Sequence, residues 1–151
     1  KNNKPDFSKP ISNIENVVEE WKDFLTEDEW RWISSCQTLS ERFVEKFQDK
    51  VDWPCISIYQ KLSEPFIEKF QDEVKWVFIS EYQTLSEPFI EKFQDRMDWI
   101  CLSENPNILW NKISEEFFDR YNEYLDLEEI NKTRPFSNKF CFKYNLDSRW
   151  S

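Results

Sequence analysis

Tryptophan recurs every 23 residues in this chain, at Trp30, Trp53, Trp76 and Trp99. The segments 51–73 and 74–96 are identical at 17 of 23 positions. A fixed period of this length is typical of tandem-repeat folds, in which each repeat buries its apolar face against its neighbours. The period therefore restricts the chain to a stacked architecture.

Each repeat contains two helix-start signals. In the segment 51–73, Asp52 is the first N-cap candidate and is followed by Pro54, while Ser63 is the second and is followed by Pro65. Asp and Ser side chains accept hydrogen bonds from the first backbone N–H groups of a helix, and proline in the first turn has no N–H to leave unsatisfied. Each repeat is therefore expected to form two helices.

Apolar residues around the caps support this interpretation. A residue before the cap can contact the fourth helical residue as a hydrophobic staple. Such pairs are Val51 with Ile56, Leu62 with Ile67, Leu39 with Val44, Leu85 with Ile90, and Ile113 with Phe118. We predict helices over 53–60 and 64–73 in the type repeat. Because helices this short are unstable alone, we predict an all-α fold of helix-turn-helix repeats stacked as a small α-solenoid.

The ends of the chain depart from the repeat. The predicted organisation is a flexible segment 1–10, a capping helix within 11–27, clear repeats over 28–104, and divergent repeats or a cap over 105–151. The capping helix is predicted over 14–25, with Val17, Val18, Trp21 and Phe24 on its apolar face. Over 139–146, a decayed helical copy competes with a short strand, because Phe140, Phe142 and Tyr144 alternate with other residues.

The phrase D-W-x-x-I-S-x-Y-Q-x-L-S-E-P-F-I-E-K-F-Q-D at 52–72 resembles the short tandem repeats of uncharacterised proteins encoded by giant DNA viruses of amoebae. The resemblance covers roughly residues 28–103 and implies a viral setting, but no catalytic residues. A composition without Ala or Gly also hints at an AT-rich genome.

Several enzyme classes conflict with the composition. The chain has no Gly, so it lacks phosphate-binding loops and dinucleotide fingerprints, and it has no His for Ser-His-Asp catalysis or zinc binding. The recurrent Glu41, Glu64 and Glu87 follow Ser caps, where they favour the helix dipole, so we do not interpret them as catalytic carboxylates. We predict no enzymatic activity, cofactor or metal.

Charge and hydropathy indicate the kind of partner. The chain has 20 basic and 30 acidic residues, a net charge of −10, which argues against binding nucleic acid or an anionic membrane. It contains no apolar run of transmembrane length and opens on a polar segment unlike a signal peptide. We predict an intracellular protein, in the host cytoplasm or the virion if viral, and not a secreted one. The cysteines are expected as free thiols: Cys36, Cys55, Cys101 and Cys141.

A candidate binding surface emerges from positions that differ between repeats. The fixed tryptophans are interpreted as core residues rather than as sugar-stacking platforms. The candidate interaction residues are Arg31, Trp32, Ile58, Val77, Phe78 and Glu81. Exposed apolar residues at variable positions are typical of binding stripes on solenoids, although drift or local packing between helices would produce the same pattern.

Three functions follow from this pattern. The first is a non-enzymatic protein–protein interaction scaffold. The second is a structural or self-assembling virion component, with a monomer or weak self-association expected in solution. The third, an acidic nucleic-acid mimic, is disfavoured because a net charge of −10 is sparse beside roughly one duplex charge per 1.7 Å.

Overall fold

A computed structural model describes residues 3–148 and divides the chain into two compact units, Lys1–Lys75 and Trp76–Ser151. Every secondary-structure element in the described residues is helical. The predicted all-α fold of stacked helix-turn-helix repeats is confirmed. In the described part of the chain, no helix is long and apolar enough to cross a membrane.

The first unit begins with a helix and continues as two repeats. Its helices are α1 (Ile14–Trp21), α2 (Glu27–Cys36), α3 (Glu41–Lys46), α4 (Trp53–Tyr59) and α5 (Glu64–Lys69), with a 3-10 turn at Lys22–Phe24. Each repeat has a first helix and a second helix. The first helix carries the periodic tryptophan or the residue at the same repeat position, and the second helix follows a Ser cap. The first helices α2 and α4 pack against each other.

The second unit continues the same alternation. Its helices are α6 (Trp76–Tyr82), α7 (Glu87–Lys92), α8 (Trp99–Glu104), α9 (Glu115–Arg120), α10 (Leu127–Asn131) and α11 (Asn138–Tyr144), with a 3-10 turn at Trp110–Lys112. The first helices α6, α8 and α10 pack in sequence, α8 lying against both of the others.

The predicted helix starts are confirmed. Asp52 precedes α4, and its carboxylate accepts a hydrogen bond from the Cys55 N–H at 2.9 Å. Ser63 precedes α5, and its hydroxyl accepts from the Phe66 N–H at 3.3 Å. These bonds satisfy N–H groups that have no partner within the helix.

The second helices are shorter than predicted. The prediction of a helix over 64–73 is wrong at its C-terminal end, because α5 ends at Lys69. Beyond it the chain closes a tight turn in which the Glu73 and Val74 N–H groups donate to the Phe70 carbonyl at 2.9 and 3.0 Å. Helices commonly end on a left-handed glycine, but this chain has none, so the helix ends through tightened turns instead.

The alternative prediction of a strand over 139–146 is wrong, since these residues belong largely to the helix α11. Ser137 caps this helix by accepting from the Phe140 N–H at 3.2 Å. The rings of Phe140 and Tyr144, four residues apart on one helical face, have centroids 4.6 Å apart. The apparent alternation misleads because Phe142 is 91 % exposed and belongs to the opposite face.

The N-terminal region also differs from its prediction. Residues 3–10 contact the first repeat: Phe7 is fully buried, and Lys4 forms an ion pair with Glu29 at 2.6 Å. The predicted helix over 14–25 ends at Trp21 and gives way to a 3-10 turn. Phe24 was expected on the apolar face, yet it is 56 % exposed.

The periodic tryptophans pack inside their own repeats. The Trp53 ring lies 5.3 Å from that of Phe70, and the Trp76 ring lies 5.2 Å from that of Phe93. Three residues after each tryptophan, an apolar side chain is fully buried. These residues are Ile33, Ile56, Ile79 and Leu102. Each repeat therefore has a small aromatic and aliphatic core, and the tryptophans serve that core.

Candidate interaction surface

A buried amide joins successive repeats of the first unit. Gln60, at the end of α4, donates from Nε2 to the carbonyls of Ser34 and Gln37 at 2.9 and 2.7 Å. Its Oε1 accepts from the Leu39 N–H at 3.0 Å. One side chain thus satisfies three buried or half-buried backbone groups of the preceding repeat, and leaving such groups unpaired is costly.

The second unit repeats the two donated hydrogen bonds with a shorter amide. Asn105 donates from Nδ2 to the carbonyls of Ser80 and Gln83 at 2.8 and 2.9 Å. Its Oδ1 accepts from the Asn107 N–H at 2.8 Å. The shorter side chain stands six residues after Trp99, whereas Gln60 stands seven residues after its tryptophan, so the backbone compensates for the missing methylene.

Farther along the second unit, a guanidinium makes the equivalent contacts. Arg134 donates from Nε to the Trp110 carbonyl at 3.1 Å and from an Nη to the Ile113 carbonyl at 2.9 Å. Its charge stacks over the Phe136 ring, 4.4 Å from the centroid. Burial lowers the pKa of this guanidinium, which remains charged because its reference pKa is above 12.

A buried serine makes a second connection between repeats. Ser57 Oγ donates to the Trp53 carbonyl at 2.8 Å and accepts from the Lys75 N–H at 3.0 Å. The same acceptor contact joins Ser34 to Asp52 N–H, Ser80 to Asp98 N–H and Ser103 to Asp126 N–H. Within each unit, Ser34, Ser80 and Ser103 therefore tie a first helix to the N-cap residue of the next first helix.

The recurrent glutamates form a third connection. The Glu41 carboxylate accepts from the N–H and the hydroxyl of Ser63 at 3.1 and 2.8 Å. Glu115 binds Ser137 in the same way at 3.0 and 2.9 Å. Sequence reasoning assigned such glutamates to the helix dipole alone, and missed that each binds the cap serine one repeat later. The sequence contains a signal that could have predicted this contact, because both serines stand 22 residues after their glutamate.

Ion pairs on the second helices complete the connections. Lys69 pairs with Glu45, Lys46 pairs with Glu19 at 2.7 Å, and Lys143 pairs with Asp119 at 2.9 Å. These residues are exposed or half-exposed, so each pair adds little stability. Like the amide, serine and glutamate contacts, these pairs join neighbouring repeats. The polar residues that recur from repeat to repeat therefore serve the packing of one repeat against the next.

The six candidate interaction residues all lie on first helices, three in each unit. In the first unit, Arg31 contacts two carboxylates, those of Asp28 at 3.2 Å and Asp52 at 3.6 Å. Trp32 is 43 % exposed, and Ile58 is half-buried. Arg31 therefore has a structural role, and Trp32 provides the exposed apolar surface.

In the second unit, Val77 is 41 % exposed, while Phe78 and Glu81 are half-buried. The Phe78 ring lies 6.5 Å from that of Tyr82. Ile100 is not among the six candidate residues, yet it is 75 % exposed on α8. It stands directly after Trp99, as Val77 stands directly after Trp76, and varies between repeats in the same way.

The cysteines are all thiols. Cys55 and Cys101 hold the same repeat position and are half-buried. The pKa of Cys55 is raised to about 12 and that of Cys101 to about 11. Burial of the thiol is the larger cause, and a hydrogen bond to the cap aspartate is the second. A thiol that stays protonated at neutral pH is a poor nucleophile, so these two positions contribute to packing.

No group of three or more Cys, Asp or Glu side chains within residues 3–148 is arranged to hold a metal ion. Five of the nine exposed large apolar residues in the described part of the chain lie on first helices, namely Trp32, Tyr59, Val77, Tyr82 and Ile100, and the fixed polar residues connect repeats. Comparisons of the chain with models of protein families, with curated proteins and with solved structures give no match.

Proposed function

We propose that this protein is a non-enzymatic scaffold that binds another protein through the exposed surface of its first helices. The observation that supports this most is that two sets of residues in each repeat have different roles. The fixed polar residues contact neighbouring repeats, as Gln60 and Glu41 do. The apolar residues at variable positions, such as Trp32 and Ile100, remain exposed.

Exposed aromatic and aliphatic side chains on packed helices suit protein recognition. Large side chains that lose water on binding dominate interface energetics. Besides Trp32, the first unit exposes Tyr59 on α4 at 60 %. Neither residue is needed to fill the core, which is built from the opposite faces of the same helices.

The resemblance to repeats from giant viruses of amoebae gives the proposal a setting. We propose that the scaffold acts in an infected host cell or a virion.

The test is affinity capture from host lysate with wild-type protein and two single variants, Trp32→Asp and Ile100→Asp. Both side chains are exposed, so both variants should keep the helical circular dichroism of the wild type. We expect at least one variant to lose a partner that the wild type retains at high salt.

Phe142→Asp is the matched control, because it introduces the same charge at a 91 % exposed apolar residue on a second helix. Retention of the partner by both first-helix variants, or an equal loss of the partner in the control, would overturn the assignment to the first helices.

A self-assembling structural component is the second candidate function. It is favoured by Phe142 on α11, the most exposed large apolar side chain in the described residues. Sedimentation velocity over a wide concentration range should then show association that Phe142→Asp abolishes. A strict monomer at every concentration would exclude this candidate.

A further inference from the structure

The first helices of the second unit combine apolar surface with charge of one sign. Within the described structure, α6, α8 and α10 contain no Lys or Arg. The second helices differ, because α7, α9 and α11 carry Lys92, Arg120 and Lys143 in their last turns. The charged residues within these three helices are therefore all acidic, and the basic residues nearest to them, Lys75 and Lys132, lie just outside α6 and α10.

The apolar part of this surface is centred on two equivalent residues. Val77 on α6 and Ile100 on α8 each follow the periodic tryptophan and are 41 % and 75 % exposed. Because α8 packs against α6 and packed helices lie about 8–10 Å apart, these side chains stand about 10 Å apart on the same side of the stack. Two turns of an α-helix span nearly the same distance, about 11 Å.

The acidic part lies beside the apolar part. Glu81 stands four residues after Val77 on α6, and Glu104 stands four residues after Ile100 on α8. Residues four apart lie on the same face of a helix, so each carboxylate lies beside an exposed aliphatic residue. Glu128 on α10 is also exposed.

We propose that this surface, defined by Val77, Ile100, Glu81 and Glu104, binds an amphipathic basic helix of a partner protein. The inference rests on the proposed scaffold function and names the chemistry of its partner. Apolar residues of the partner spaced by seven would contact Val77 and Ile100. Lys or Arg residues beside them would pair with Glu81 and Glu104.

The charge argues against a purely apolar partner. Covering Glu81 and Glu104 with an uncharged surface would remove water from two carboxylates without providing a counter-charge, which is unfavourable. A basic helix supplies that counter-charge, and complementary potentials also speed association.

Fluorescence anisotropy with three labelled peptides tests the proposal. The probe is a Leu–Lys helix of about four turns, or about 14 residues, with leucines at heptad spacing. The comparison peptides are a Leu–Glu version with the same leucines and a Ser–Lys version with the same charge. At roughly 0.15 M salt, we expect the Leu–Lys peptide to bind about tenfold or more tightly than either comparison.

Variants of the full chain locate the binding site. Ile100→Ser and Glu104→Lys should each weaken Leu–Lys binding about tenfold. The matched controls are Phe142→Ser and Glu123→Lys, which make the same kinds of change at exposed residues outside the surface. They should alter binding by no more than about twofold. Equal weakening by Glu104→Lys and Glu123→Lys would show non-specific charge attraction and overturn the proposal, as would equal binding of all three peptides.

The same reagents separate this proposal from the scaffold function. If Ile100→Asp abolishes capture of a host partner but the Leu–Lys peptide does not compete with that partner, the scaffold function stands and the basic-helix partner is wrong. If capture survives both Trp32→Asp and Ile100→Asp, the first helices are not the binding surface and both proposals fail.

Discussion

The N-terminal region and the C-terminal helix depart from the repeat in opposite ways. Gln37 donates from Nε2 to the carbonyls of Phe7 and Lys9 at 2.9 and 2.7 Å, and its Oε1 accepts from the Ile11 N–H at 3.0 Å. Gln60 makes the same three contacts with the repeat before it. The segment around Phe7 therefore takes the place of a first-helix end, although it has no tryptophan and no helix.

The helix α1 likewise takes the place of a second helix. Glu15 accepts from the Ser40 N–H at 3.0 Å, as Glu41 accepts from Ser63. Glu19 pairs with Lys46, as Glu45 pairs with Lys69. Residues 7–21 thus form an additional repeat that keeps the connecting contacts without the repeat sequence.

The C-terminal helix keeps the sequence outline and its contacts with the preceding repeat, but it lacks the acceptor side chains that the other second helices carry. The stretch S-N-K-F-C-F-K-Y at 137–144 aligns with S-E-P-F-I-E-K-F, and its cap serine is bound by Glu115. However, Asn138 and Phe142 stand where the other second helices carry the two acceptor carboxylates. The comparison shows that a repeat in this protein is defined by its connecting side chains more than by its aromatic residues.

The largest expected effect compares the two phenylalanines. Phe7→Ala removes a fully buried ring and should lower the free energy of unfolding by about 3–5 kcal/mol. Phe142→Ala, at a 91 % exposed ring, should change it by no more than about 0.5 kcal/mol. Urea unfolding followed by tryptophan fluorescence measures both. Similar values for the two variants would show that the N-terminal segment is not part of the folded stack.

A smaller effect tests whether the N-terminal segment is equivalent to a repeat. Gln37→Ala and Gln60→Ala each remove three hydrogen bonds to backbone groups, so each should cost about 2–3 kcal/mol. The two costs should agree within about 0.5 kcal/mol. If Gln60→Ala lowered the free energy of unfolding as expected and Gln37→Ala did not, residues 7–21 would not be equivalent to a repeat.

The smallest effect is the dependence of stability on pH through Glu19. Hydrogen bonds from Lys22 and then Lys46 lower the pKa of Glu19 to about 2. A lowered carboxyl pKa gives stability that is present above the ordinary value near 4.5 and is lost as pH falls toward about 2. Glu19→Gln should therefore flatten the pH dependence of stability between those values. An unchanged acid profile would show that the exposed pairing is too weak to matter.

Much of the fold could be predicted from the sequence because its determinants are local. Asp52 and Ser63 specify helix starts through hydrogen bonds to residues three positions away. The tryptophan period likewise repeats a contact made within one repeat. The end of α5 was predicted less well, since the turn after Phe70 has no glycine to mark it.

The candidate surface and the additional repeat were harder to predict because they depend on contacts between repeats. Nothing local in the sequence distinguishes Glu15, which binds Ser40, from any solvated glutamate of a surface helix. Ile100 and Ile79 are both aliphatic residues of a first helix, yet one is 75 % exposed and the other fully buried. Only their phase relative to the tryptophan separates them.

Hydrogen exchange followed by NMR tests the central claim, that the fixed polar side chains join one repeat to the next. The Leu39, Asp52 and Ile11 N–H groups lie outside helices but donate to Gln60 Oε1, Ser34 Oγ and Gln37 Oε1 at 2.9–3.0 Å. We predict that these three amides exchange about a hundredfold or more slowly than unstructured peptide, and that Gln60→Ala removes the protection of Leu39. Exchange of all three at the rate of an unstructured peptide would contradict the account.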